Sequence, residues 1–235
     1  MFKNQVTIKD FDIKGFPFYK QFSGHCKTHL GGGDLTKLHE FSSDNLQPES
    51  LLTVEGDQDV PIYKILYQID PSYSLSASAS EGLFIQTYRN FVQMLAVQVF
   101  KEDLVYQRLP TLRVHFPNNL SVGGYHRDRD YNHPNEEINI WVPLTLAYKT
   151  ASIHIEPSIG EKHHQPLNID FGQYAIFDSA LEHGNEVNVE GYTRMSFDFR
   201  VIPCSQYKQS NLDSVTQNIP FQVGEYYDLM QKSEI

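Results

Sequence analysis

The feature that most constrains this chain is the run Thr193-Arg-Met-Ser-Phe-Asp-Phe-Arg-Val201, in which polar and apolar residues alternate without a break. A period of two is the signature of a β-strand, whose successive side chains point to opposite faces. Arg194, Ser196, Asp198 and Arg200 therefore share one face, and Met195, Phe197, Phe199 and Val201 share the other. A strand so divided needs an apolar layer, such as a helix, on one side. On the other it needs a polar cavity or water. In a cavity, a guanidinium grips a carboxylate bidentately and a neighbouring hydroxyl adds a hydrogen bond. Facing water, the same residues are an ordinary solvated face.

The same period recurs from Pro110 onward. Candidate strands are Thr111–Phe116, Glu137–Val142, Ser152–Glu156, Gln173–Asp178 and Thr193–Ile202, separated by turn signals such as Pro117-Asn-Asn and His133-Pro-Asn. Thr111, Arg113 and His115 share a face, as do Glu137, Asn139 and Trp141. Three such strands fit a barrel with a functional interior, and fit a half-exposed sheet equally well. Many short strands preceded by one helix predict a mainly β sandwich or barrel. That helix is expected over 80–101: Phe84, Tyr88, Phe91, Leu95 and Val99 recur at steps of three and four, and Ser78 and Glu81 have capping-box spacing. Its aromatic stripe reads as core. Val6–Lys9 and Phe11–Lys14 are short alternating pieces, and Pro61–Ile69 looks like a buried strand. The tail after Pro203 is polar and ends in a short helix near Tyr226–Lys232. A length of 235 residues suits a single domain. It divides into an N-terminal part (1–107), a β core (about 108–207) and a tail (208–235).

Composition narrows the function classes. A net charge of -10 argues against a nucleic-acid or anionic-membrane partner and permits a neutral or cationic substrate. No apolar run approaches the ~18 residues of a membrane span, and Met1-Phe-Lys-Asn-Gln lacks the apolar stretch of a signal peptide. Cys26 and Cys204 are too few for a disulfide framework. A reduced, cytoplasmic setting is the expectation.

The chemistry centres on His126-Arg-Asp128. His183 follows 55 residues after the aspartate, Arg194 comes 11 further on, and Ser196 two beyond that. A His-x-acid pair alone means little, since about one is expected by chance among ten histidines and His154-Ile-Glu156 is a second. The ordered set is what singles out His126, Asp128 and His183. Two histidines and one carboxylate form the facial triad that holds non-haem Fe(II) with open coordination positions. Gly123 and Gly124 let the backbone bend into such a site. Asp130 stands at the wrong spacing for a ligand. Arg200 and Arg113 are alternatives to Arg194 as carboxylate holders, and Arg113 is also a candidate substrate contact. Asn139 and Trp141 are candidate pocket residues. Glu156, on a strand bordering the site, is a candidate acceptor for a substrate amine or hydroxyl. His25-Cys26-Lys-Thr-His29 lacks the second paired element of a structural zinc site, and His163-His164 reads as a solvated loop.

With these residues in place, the chain resembles the Fe(II)/2-oxoglutarate-dependent oxygenases of the double-stranded β-helix (jelly-roll, cupin-like) fold with flanking α-helices. It is similar to the oxygenase-like proteins of streptomycin-type biosynthetic clusters. Carrying the resemblance are His126-x-Asp128, His183 and Arg194-x-Ser196, within Pro110-Thr-Leu-Arg-Val-His-Phe-Pro, Tyr125-His-Arg-Asp-Arg-Asp-Tyr-Asn-His-Pro, Glu137-Ile-Asn-Ile-Trp-Val-Pro-Leu-Thr and Arg194-Met-Ser-Phe-Asp-Phe-Arg. It covers roughly residues 108–207. The resemblance implies that His126, Asp128 and His183 ligate Fe(II), and that Arg194 and Ser196 hold the far carboxylate of 2-oxoglutarate. It implies consumption of O2 in a dioxygenase reaction. Related halogenases replace the carboxylate ligand with a small residue, so the presence of Asp128 implies hydroxylation or another oxidation. The implied substrate is a small polar metabolite of a biosynthetic pathway, such as a sugar or aminocyclitol derivative or an amino acid. The oligomeric state stays open, a homodimer among the options. A cupin-type metal enzyme without 2-oxoglutarate and a non-catalytic jelly-roll module recognising carbohydrate are the competing readings.

Overall fold

The computed structural model describes residues 2–41, 61–73, 81–121, 124–215 and 218–233. Among the described residues, ten strands form two antiparallel sheets. The large sheet runs β1 (Val6–Asp10), β7 (Gln173–Asp178), β4 (Ile138–Pro143), β9 (Arg194–Pro203), β2 (Leu104–Gln107) and β10 (Tyr227–Met230). β3 (Thr111–His115) also pairs with β9. β9 is long enough to carry two partners on one edge: Arg194–Asp198 pair with β3 and Val201–Pro203 with β2. The small sheet runs β6 (Gln165–Pro166), β5 (Ile153–Ile155) and β8 (His183–Asn185).

Alternation along β9 and β4 sets the layers. Met195, Phe197, Phe199 and Val201, with Ile138, Ile140 and Val142, form one apolar core with α1 (Phe18–Leu30), α2 (Leu38–Phe41), α3 (Pro61–Tyr67) and α4 (Leu83–Met94). The other face of the large sheet contributes Trp141, Ala175 and Phe177 to a second core, shared with Ile153 and Ile155 of the small sheet. The polar residues of β9 therefore lie between the two sheets, and Arg194, Ser196 and Arg200 are buried there. This face is therefore buried between the sheets and does not face water.

The stripe of α4 packs as its spacing predicts. Phe91 meets Phe199 and Tyr174 edge-on, with ring centroids 6.4 and 5.3 Å apart, and Leu95 is fully buried. The helix starts and ends differently from the expected 80–101. Ser78 lies outside the described residues. The cap that is seen comes from far upstream: Asp70 Oδ1 accepts from Gly82 N at 2.9 Å, and Asp70 Oδ2 from Ile85 N at 2.9 Å. A Cβ on Gly82 would sit 2.6 Å from that carboxylate, so only glycine admits the cap. Beyond Met94 the helix widens into a π turn, Leu95–Phe100, and stops at Lys101 in the left-handed region.

Three expectations are corrected. Pro61–Ile69 is not a strand: α3 occupies Pro61–Tyr67. Its tyrosines serve the outer edge of β3, where Val114 N donates to Tyr63 Oη at 2.9 Å and Leu112 N to Tyr67 Oη at 3.4 Å. That edge is thereby covered by a helix rather than by another strand. Tyr226–Lys232 is not a helix, because β10 pairs with β2 there. Phe11–Lys14 leaves the sheet after β1, and Phe11 packs edge-on against Phe91 at 5.6 Å. The helix α1 has no counterpart in the sequence reading. It buries Phe18, Phe22 and Cys26 at steps of four, and His25, in the rejected zinc pattern, spends its Nε2 on Ile65 O at 2.7 Å. Among the described residues no helix is long and apolar enough to cross a membrane.

Candidate metal centre

His126, Asp128 and His183 converge. Each offers one ligand atom, and these atoms lie within 4.8 Å of one another, the one such cluster among the described residues. Asp128 Oδ1 is 3.8 Å from His126 Nε2 and 3.7 Å from His183 Nε2. The two histidines are brought together by the backbone. His126 N donates to His183 O and His183 N to His126 O, both at 3.0 Å, which adds the His126 segment to the edge of β8. Gly184 makes this approach feasible: a Cβ there would lie 2.9 Å from the backbone of Tyr125. Gly123 lies outside the described residues.

Each imidazole is oriented in the same way. His126 Nδ1 bonds Gly124 O at 2.8 Å and His183 Nδ1 bonds Leu181 O at 2.9 Å, each a carbonyl two residues upstream. A carbonyl only accepts, so Nδ1 carries the proton and Nε2 is left with its lone pair facing the other ligands. Burial, and then the neighbouring His183, push His126 down to about 4. It is therefore neutral, as a metal ligand must be. For Asp128, burial opposes ionisation, but Arg200 and the surrounding histidines outweigh it and hold the carboxyl well below the usual range. Asp128 opens a 3-10 turn, Asp128–Tyr131. Asp130 closes this turn by accepting from Arg127 N at 3.1 Å, a structural duty consistent with its spacing.

Three arginines lie on the polar faces between the sheets, in different states. Arg113 Nε bonds Asp198 Oδ1 at 3.0 Å. Arg200 bonds Asp198 Oδ2 at 2.6 Å and reaches Asp128 Oδ1 at 3.4 Å. Arg194 has neutral partners: Ala151 O at 3.0 Å, Ser196 Oγ at 2.9 Å and Asn185 Oδ1 at 2.9 Å, with His115 Nδ1 at 3.4 Å. Its guanidinium also stands 5.6 Å from the Trp141 ring centroid. Burial pushes Arg194 down to about 10, a sign of a cation whose desolvation is not offset by an adjacent carboxylate. A buried guanidinium in neutral surroundings is chemically fitted to an anionic ligand.

The remaining sequence candidates separate. Asn139 does not stand free in a pocket: its Nδ2 donates to Asp128 Oδ2 at 2.8 Å. Trp141 is 2% exposed and backs Arg194. Arg113 retains partial exposure, 27% of its side chain. Glu156 is not an acceptor for substrate. It is fully buried, grips Arg127 Nη2 through both oxygens at 2.9 and 3.0 Å, and accepts Gly160 N and Glu182 N at 2.8 and 2.7 Å. Every lone-pair direction is spoken for by the chain itself. Arg127, the unassigned middle residue of His-x-Asp, thus ties the His126–Asp128 segment to the small sheet. Asn185 and His115 were also missed. Asn185 is two residues from His183 and so shares its face.

No protein-family model matches the chain. Among solved structures, it superimposes on the "non-heme alpha ketoglutarate dependent carbocyclase SnoK from nogalamycin biosynthesis" with a TM-score of 0.55 at 11% identity, covering 97% of this chain and 93% of that one. "CytC3 with Fe(II) and alpha-ketoglutarate" aligns with a TM-score of 0.50 at 12% identity, covering 99% and 86%. The fold is thus shared with SnoK and CytC3, and in this chain the His-Asp-His cluster lies between the sheets. In sequence, the chain is 35% identical over 182 residues to the streptomycin biosynthesis protein StrG of Streptomyces griseus, covering 77% of this chain and 81% of that protein. The chain belongs to the StrG family.

Proposed function

We propose that this protein is an Fe(II)- and 2-oxoglutarate-dependent oxygenase of the jelly-roll type that hydroxylates, or otherwise oxidises, an unactivated C–H bond of a small polar metabolite in a biosynthetic pathway. The observation that carries this reading is the convergence of two imidazole Nε2 atoms and one carboxylate oxygen on a common point, a donor set suited to Fe(II). The uncompensated Arg194 supports the cosubstrate. When bound, iron and 2-oxoglutarate would supply O2-dependent C–H oxidation coupled to decarboxylation of the keto acid.

The chain's own residues position those groups. His126, Asp128 and His183 would hold the metal. Arg194, braced by Trp141, Asn185 and Ala151 O, would hold the distal carboxylate. Ser196 accepts from Arg194, which leaves its own hydroxyl proton to donate to the same anion. Enclosure between two sheets excludes bulk water and strengthens this ion pairing. The names of StrG and SnoK refer to streptomycin and nogalamycin biosynthesis, which supports a metabolite substrate, with a sugar, an aminocyclitol or an amino acid as the classes to test. Anaerobic addition of Fe(II) and then 2-oxoglutarate tests the proposal. A weak visible charge-transfer band should appear only with both present. Metal binding without any response to 2-oxoglutarate would favour a cupin-type enzyme instead.

A further inference from the structure

We infer that Asn139 and Arg200 form a clamp that commits Asp128 to a single metal-facing oxygen, making them positioning residues for the metal centre. This inference rests on the proposed role of His126, Asp128 and His183 as metal ligands.

The two clamp residues are register partners on adjacent strands, Asn139 on β4 opposite Arg200 on β9. They address the two oxygens of one carboxylate. Asn139 Nδ2 donates to Oδ2 at 2.8 Å, while Arg200 approaches Oδ1 at 3.4 Å. Oδ1 is the oxygen that approaches both imidazoles, at 3.8 and 3.7 Å. With Oδ2 engaged by an amide, the carboxylate can offer the metal one oxygen without giving up that bond. Asn139 can act only in this orientation, because a flipped amide would set Oδ1 against a carboxylate oxygen.

Arg200 is itself held. Asp198 Oδ2 binds it at 2.6 Å, and the other oxygen of Asp198 binds Arg113 at 3.0 Å. The charges therefore alternate in a chain, Arg113, Asp198, Arg200, Asp128, that ends on the metal ligand. The clamp is not optimised for stability alone. Asn139 Oδ1 and Arg200 Nε are buried without a hydrogen-bond partner. Such orphaned atoms carry a stability cost, which is expected where a group is kept for another duty.

The test uses the full-length protein with Co(II) as the metal probe. Affinity is read by calorimetry, coordination by the visible Co(II) d–d spectrum, and folding by thermal denaturation without metal. Asn139→Ala should weaken Co(II) binding ~10- to 100-fold, the usual range for loss of a residue that orients a ligand. It should also change the d–d spectrum while the metal-free protein still melts cooperatively. Asn139→Asp should weaken binding further by setting carboxylate against carboxylate. Arg200→Lys, which keeps the charge and loses the fork, is the second variant, and decides the matter if the Asn139 variants do not fold. Wild-type Co(II) affinity and spectrum in the folded variants would overturn the clamp. His126→Ala is the internal reference. If it abolishes binding while the clamp variants do not, only the clamp fails. If His126→Ala binds as wild type, the metal-centre reading itself is wrong.

Discussion

Single residues decide the chemistry here by the state of their neighbours. Arg194 is the clearest case, a buried cation with neutral partners. Losing a charge-assisted contact of this kind costs roughly 2–5 kcal/mol, so Arg194→Ala should raise the 2-oxoglutarate constant ~30-fold or more with metal binding retained. Arg194→Lys should recover part of it, since an ammonium keeps the charge but not the planar fork. Titration of 2-oxoglutarate into the metal-loaded variants measures this. Transfer of the effect to Arg113→Ala would refute the assignment of the anchor. His126→Ala and His183→Ala should each abolish metal binding, as each removes one of the three proposed protein ligands. That His126, Asp128 and His183 come together was readable in the sequence because their spacing and the β9 alternation are independent constraints that agree. Glu156 was misassigned because position on a bordering strand says nothing about partners. The residue that claims its carboxylate, Arg127, sits 29 positions away. The state of Asn139 was equally hidden, as its partner comes from a loop rather than from a neighbouring strand.

At the scale of elements, the helices cover what the sheet leaves open. Phe91→Ala should cost about 3–5 kcal/mol, since its ring meets Phe11, Phe16, Phe18, Tyr174 and Phe199. Tyr63→Phe removes the acceptor for Val114 N. Leaving that buried donor unmet should cost about 1–3 kcal/mol, seen as a lower denaturation midpoint with unchanged slope. The strands of the core were legible because alternation is a local property. The segment Pro61–Tyr67 was not, because an apolar run of that length suits a strand and a buried helix alike. β10 was missed since its pairing with β2 joins residues more than a hundred positions apart, and the cap of α4 since Asp70 belongs to no local capping pattern.

For the whole molecule, burial of titratable groups couples folding to pH. Burial and the adjacent Arg194 push His115 down to about 3, and His126 lies at about 4. Unfolded histidines take up protons near 6.5. The unfolded state then binds more protons, so stability of the metal-free protein should rise with pH from about 4 to about 6.5 and level off above. Urea titrations across that window measure the slope, which His115→Gln should flatten; a stability independent of pH would contradict the burial of His115 and the partial burial of His126. Ligands should stabilise by mass action. A hundredfold excess over its dissociation constant corresponds to about 2.7 kcal/mol, so metal should raise the melting temperature and 2-oxoglutarate should raise it again, the second step being absent in Arg194→Ala. β9 has one further consequence. From Arg194 to Val201 its odd-numbered residues build the hydrophobic core and its even-numbered residues line the space between the sheets. Parity is thus the property that cannot drift: adding or deleting one residue between Arg194 and Val201 would exchange phenylalanines for arginines along the rest of the strand. Length variation among relatives is therefore expected to fall in the loops and never inside this strand, and one alanine inserted after Phe197 should abolish folding where the same insertion at the exposed Gly191 turn is tolerated.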